Sequence, residues 1–86
     1  MSETTINIGI ETLGWIGALF FLIAYGMVVA KKWTTDGVIY HLFNILGGIA
    51  LTVNTVYFSA WAAAFINFAW AGIAVIGWIK VKRINP

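Results

Sequence analysis

Most of the residues in this chain that could do chemistry lie in one stretch, Tyr40–Tyr57, YHLFNILGGIALTVNTVY. His41, Asn44, Asn54 and the pair Gly47–Gly48 interrupt an otherwise apolar run. Tyr40, Asn44, Gly47, Leu51 and Asn54 recur at steps of four, three, four and three. On a helix that spacing places them on one stripe. His41, Gly48 and Thr55 fall beside the stripe, while Leu42, Ile45, Ile49 and Val53 form the opposite side. One face therefore offers hydrogen-bonding groups and room for close approach, and the other suits lipid. Outside this stretch, Tyr25, Asn67 and Trp70 are polar-capable side chains set deep within apolar runs.

An asparagine amide inside a membrane can do two things. It can line a path for a small polar solute, or it can join helices, each such bond contributing roughly 0.6–2 kcal/mol. For Asn44 and Asn54 joining is the first reading and lining the second; for Asn67 the two stand level. His41 reads as an interfacial or hydrogen-bonded imidazole before it reads as a proton relay, because no carboxylate lies inside a span. Tyr25 reads as a packed aromatic with its hydroxyl bonded. Gly47–Gly48 reads as a helix contact rather than a hinge, and Gly14 and Gly17 as a packing face. With one histidine, three carboxylates and no cysteine, neither a metal site, a disulfide nor a nucleophile–base pair is expected. No cofactor and no enzymatic activity are expected.

The elements that must position these groups follow from composition. Of 86 residues, 62% are apolar and 9% charged, too little polar surface to coat a water-soluble globule. Crossing ~30 Å of hydrocarbon takes about 20 apolar residues. Spans are expected at approximately 13–30, 38–56 and 60–79, forming one membrane domain over 1–86: an all-α bundle of three transmembrane helices. Met1–Thr12 is polar, without the basic start of a signal peptide, and Thr5 or Asn7 is expected to cap the first helix. Thr34, Thr35 or Asp36 would cap the second and Ser59 the third. The turn at Tyr57–Ser59 is so short that the second and third helices must be antiparallel neighbours.

All five basic residues sit in Lys31–Lys32 and Lys80–Arg83. The positive-inside rule then predicts the N-terminus outside and the C-terminus in the cytoplasm. Trp15, Tyr57 and Trp61 would mark the outer interface, and Trp33, Tyr40 and Trp78 the inner one. Basic groups confined to span ends make no groove for nucleic acid, and membrane lipids are the expected surroundings. At about 1.5 Å per residue, Asn54 and Asn67 share the outer half, Tyr25, His41 and Asn44 the inner, and Trp70 lies near the centre. Facing inward, they would form two polar clusters separated by an aromatic side chain.

The segments GWIGALFFLIAYG, YHLFNILGG, NTVYFSAW and INFAWAGIA resemble a family of small, uncharacterised bacterial three-span proteins over Leu13–Ile79. More distantly, length, topology, the Gly14–Trp15–Ile16 opening and Asn67 are similar to SemiSWEET sugar transporters of the PQ-loop superfamily. Those work as parallel homodimers with substrate between the protomers. The resemblance implies that Asn67 contacts substrate; the Pro-Gln pair of that family's first helix is absent, with Gly26–Met27 near its place. The expected function is a homodimeric, SemiSWEET-like carrier or facilitator of a small polar solute. The alternative is a structural or accessory membrane protein that binds lipid or another membrane subunit.

Overall fold

The structure, a computed structural model, describes residues 2–84. Three helices account for nearly all of it: α1 (Glu3–Val29), α2 (Val38–Tyr57) and α3 (Trp61–Ile84). Each is long and apolar enough to cross a membrane.

The helix ends differ from expectation in instructive ways. Helix α1 begins ten residues before the anticipated span, because Ser2 caps it: the Ser2 hydroxyl accepts the Thr5 N–H at 3.2 Å, with Glu3 in the first turn. The polar stretch from Glu3 to Thr12 is thus helical throughout, starting before the expected cap at Thr5 or Asn7. Thr5 and Asn7 are thus inside the helix, and Asn7 accepts a 2.6 Å bond from the Tyr57 hydroxyl. Gly37 occupies the cap position of α2 without any side-chain bond, so Thr34, Thr35 and Asp36 do not cap it. Ser59 does not cap α3 either. It stands at φ 59°, in the left-handed region, and the first turn of α3 is closed by the Ala64 N–H on the Ala60 carbonyl at 2.8 Å.

Ser59 instead ends α2, and Lys31 ends α1 in the same manner. Lys31 has φ 63°; its N–H reaches Val28 O at 3.0 Å and the Lys32 N–H reaches Met27 O at 2.9 Å. Ser59 N–H reaches Val56 O at 3.1 Å and Ala60 N–H reaches Thr55 O at 2.8 Å. This paired closure satisfies carbonyls that a helix end would leave without partners. Both ends achieve it without glycine.

Helix α2 lies in the middle. It packs against α1 on one side and α3 on the other, whereas the α1 and α3 backbones do not meet. The buried residues are nearly all small: Gly14, Gly17 and Ala24 on α1; Gly47, Gly48 and Ala50 on α2; Ala64, Ala71 and Ala74 on α3. Large apolar side chains such as Leu22, Phe65 and Phe68 point outward. That inverts the soluble pattern, as expected where helices associate by close packing and not by escape from water.

The adjacent glycines of α2 face different partners. A Cβ on Gly47 would lie 3.0 Å from Gly17 O, and a Cβ on Gly48 would lie 2.8 Å from the Ala71 Cβ. Further along the second contact, a Cβ on Gly77 would lie 2.5 Å from His41 Cε1. Contacts of 48 with 71 and 41 with 77 fix α2 and α3 as antiparallel neighbours. Leu42, Ile49 and Val53 are exposed as expected, but Ile45 is buried, because the side of α2 that faces α3 reaches round to it.

Candidate functional site

With α2 in the middle and α1 and α3 apart, a groove runs along α2 and is open on the side away from it. The α2 stripe supplies its floor: Tyr40, Asn44, Leu51, Asn54 and Phe58 all line it. One wall comes from α1, whose lining residues repeat every seven positions, 11–18–25 and 14–21–28. Both patterns drift little around a helix over a membrane's thickness, so two separate hollows fall in line along the same α1–α2 seam.

Near the Glu3 end the groove widens to about 330 Å³, between Glu11, Trp15 and Ala18 on α1 and Leu51, Asn54 and Phe58 on α2. Toward the lysine end it widens again to about 400 Å³, between Phe21, Tyr25 and Val28 on α1, Tyr40 and Asn44 on α2, and Trp70 on α3. A side chamber of about 110 Å³ leads from Tyr40, Asn44 and Trp70 to His41, Ile73 and Ala74. Phe21 lies over Gly47, whose absent Cβ would fall 2.8 Å from the ring, and meets Trp70 edge-on at 6.4 Å. These two rings bridge α1 and α3 across the floor.

Asn44 is 5% exposed. Its Nδ2 donates to its own helix at Tyr40 O, 2.9 Å away, and its Oδ1 accepts from Trp70 Nε1 at 3.0 Å. The amide thus joins α2 to α3 and holds the indole edge-in. Asn54 turns the other way: its Nδ2 donates to Ile10 O on α1 at 2.9 Å. Gly14 makes that reach possible, since a Cβ there would lie 2.5 Å from Asn54 Nδ2.

The remaining expected site residues are dispersed. Tyr25 is 60% exposed and its hydroxyl makes no hydrogen bond to the described residues, so the bonded hydroxyl expected from sequence is replaced by a ring standing at the groove wall. His41 lays its ring against Gly77, edge-on to Tyr40 at 5.5 Å, in the side chamber. Asn67 is half-buried on the stripe of Ala64, Ala71 and Ala74 that faces α2, level with Thr52. It lines neither chamber of the groove, so Asn54 and Asn67 lie on opposite sides of α2. The expected outer cluster is therefore Asn54 with Glu11 and not with Asn67. Phe21 and Glu11 are lining residues that sequence reasoning passed over; the seven-residue repeat on α1 could have found both, whereas Tyr40 was already on the expected α2 stripe.

Among the described residues no three of His, Asp and Glu gather as metal ligands. The electrostatics are polarised end to end, with Glu11 at one mouth and the lysines at the other. Lys82 places its Nζ 5.0 Å from the Trp78 ring centroid.

No match was found among functionally curated proteins, and none among solved structures. The model of an uncharacterised protein family does match, over residues 10–85, from the second turns of α1 through the whole of α3. A match across that much of the sequence settles membership: this three-helix membrane protein belongs to that family.

Proposed function

We propose that two copies of this chain close their grooves against one another and together form a path for a small polar solute. The carrying observation is the groove itself. It unites polar-capable groups near both ends, Asn54 with Glu11 and Asn44 with Tyr25 and Tyr40, on one open face, separated by the Phe21–Trp70 bridge. A single copy leaves that face exposed to lipid, where an open hydroxyl such as that of Tyr25 is costly. A second copy related by an axis along the membrane normal would enclose it, as parallel repeats do in larger carriers. Pairing of this kind is what the resemblance to SemiSWEET-type homodimers implies, and the proposal puts the N-terminus outside and the lysines in the cytoplasm of a bacterial cell.

A second reading has its own support. Asn54 on Ile10 O and Trp70 on Asn44 are complete helix-joining bonds, which suit an accessory protein that binds lipid or another membrane subunit and transports nothing. Proteoliposomes holding the purified protein and loaded with a panel of labelled small solutes separate the two. Saturable flux of one solute, absent from protein-free vesicles, is the expected outcome; no flux across the panel favours the accessory role.

A further inference from the structure

The chamber at the lysine end is walled by rings. Phe21, Tyr25, Tyr40 and Trp70 all line it, and among the described residues no charged side chain does. Trp70 is 45% exposed, so much of its indole is open, while its one donor is already spent on Asn44. The Asn44 amide is likewise engaged at both ends, on Tyr40 O and the indole. What remains for a guest is π faces, two phenol hydroxyls, the apolar Val28 and Val29, and at most the second N–H of an Asn44 amide that is 5% exposed.

This inventory selects a guest. A polyol or an amino acid arriving here would leave most of its donors and acceptors unpaired, a heavy penalty in a dry site. A carboxylate or phosphate would meet the negative faces of the rings. A small cation with dispersed charge and few donors loses little on leaving water and is attracted to aromatic faces within about 6 Å. The same chain uses this contact internally, where the Lys82 ammonium sits 5.0 Å from the Trp78 ring centroid. Glu11, the charged residue lining the opposite chamber, has the sign that draws a cation to that mouth.

We infer that this chamber is an aromatic cage for a small quaternary ammonium group, held by Phe21, Tyr25, Tyr40 and Trp70. The inference deepens the solute-path proposal by naming the solute's class, and its first test does not depend on transport. Equilibrium binding of labelled choline to the purified protein in nanodiscs is compared with binding of 3,3-dimethylbutan-1-ol, which has the same shape without the charge. Choline should bind saturably and the neutral isostere about ten-fold more weakly or worse. Trp70→Leu should abolish choline binding, but it also strands Asn44 and can unsettle the fold. Tyr25→Leu is the cleaner variant, because that ring is exposed and its hydroxyl makes no bond to the described residues; it should weaken choline several-fold while Tyr25→Phe retains it. Phe68→Leu, on the far side of α2, should change nothing. Equal affinity for choline and its isostere, no saturable choline binding, or an unaffected Tyr25→Leu variant would each overturn the cage. Flux in proteoliposomes tells the two proposals apart. Choline binding without flux keeps the cage and removes the carrier, whereas flux of a neutral polyol without choline binding keeps the carrier and removes the cage.

Discussion

At the scale of single residues, Gly14 and Asn54 form one device. The amide of Asn54 reaches a backbone carbonyl of α1 only because Gly14 leaves the space open. Asn54→Leu should therefore cost about 1 kcal/mol of stability. Gly14→Ala should cost a similar amount through a different atom, and the double variant little more than either alone, since both remove the same bond. Reversible unfolding in mixed micelles measures all three; additive losses would break the coupling. Asn67 gives the contrast. Its amide makes no hydrogen bond to the described residues, so Asn67→Leu should shift stability by less than about 0.5 kcal/mol. A large loss in the same assay would reveal a bond this structure does not contain. The stripe Tyr40–Asn44–Leu51–Asn54 was readable in the sequence because helical spacing alone puts those residues on one face. Which neighbour each amide turns toward was not readable, since that depends on where a partner helix lacks a Cβ. Gly14 and Gly77 look like any other small residues until Asn54 and His41 are seen lying in the gaps they leave.

At the scale of elements, the three helices follow from apolar length, and their count and order were plain from sequence. The ends were not. A polar N-terminal stretch carried α1 outward because Ser2 supplied a cap, and two left-handed closures were invisible because glycine, their usual signal, is absent from both. Lys31 and Ser59 hold φ values of 63° and 59°, a conformation that disfavours a side chain. Replacing each with glycine should relieve that strain and raise stability by about 1 kcal/mol per site. Thermal denaturation of Lys31→Gly and Ser59→Gly checks this, and a fall in midpoint for both would count against these closures. The small-residue faces also proved to be used within one copy. Gly47 is covered by Gly17 and Phe21, so Gly47→Leu should break the α1–α2 contact and cannot serve as a probe of self-association.

At the scale of the whole molecule, two predictions use the natural lack of cysteine. The first concerns orientation. Cysteine introduced at Thr5 should react with an impermeant thiol reagent in intact cells, and cysteine at Thr34 should not; the opposite pattern reverses the topology. Asn85, beyond the described residues, would serve as a second cytoplasmic site. The second concerns pairing. If two grooves face each other, a cysteine replacing Trp15, which is 73% exposed at the groove wall, should cross-link between copies under mild oxidation. A cysteine replacing Phe68, on the apolar groove between α2 and α3, should not. Cross-linking at Phe68 alone would place the partner on the other face and leave the polar groove to lipid.

The central position of α2 has a consequence for how the chain is made. The backbones of α1 and α3 each pack only on α2, so apart from the Phe21–Trp70 ring contact the helix packing joins elements that emerge from the ribosome one after the other. The pair α1–α2 can seat Gly17 on Gly47 before α3 exists, and α3 then adds to a finished template at Gly48. No backbone packing waits for a distant segment, and no helix must be threaded between two already in place. Assembly can keep pace with synthesis, one crossing at a time, with the polar amide of Asn54 already paired while the final span is still being built.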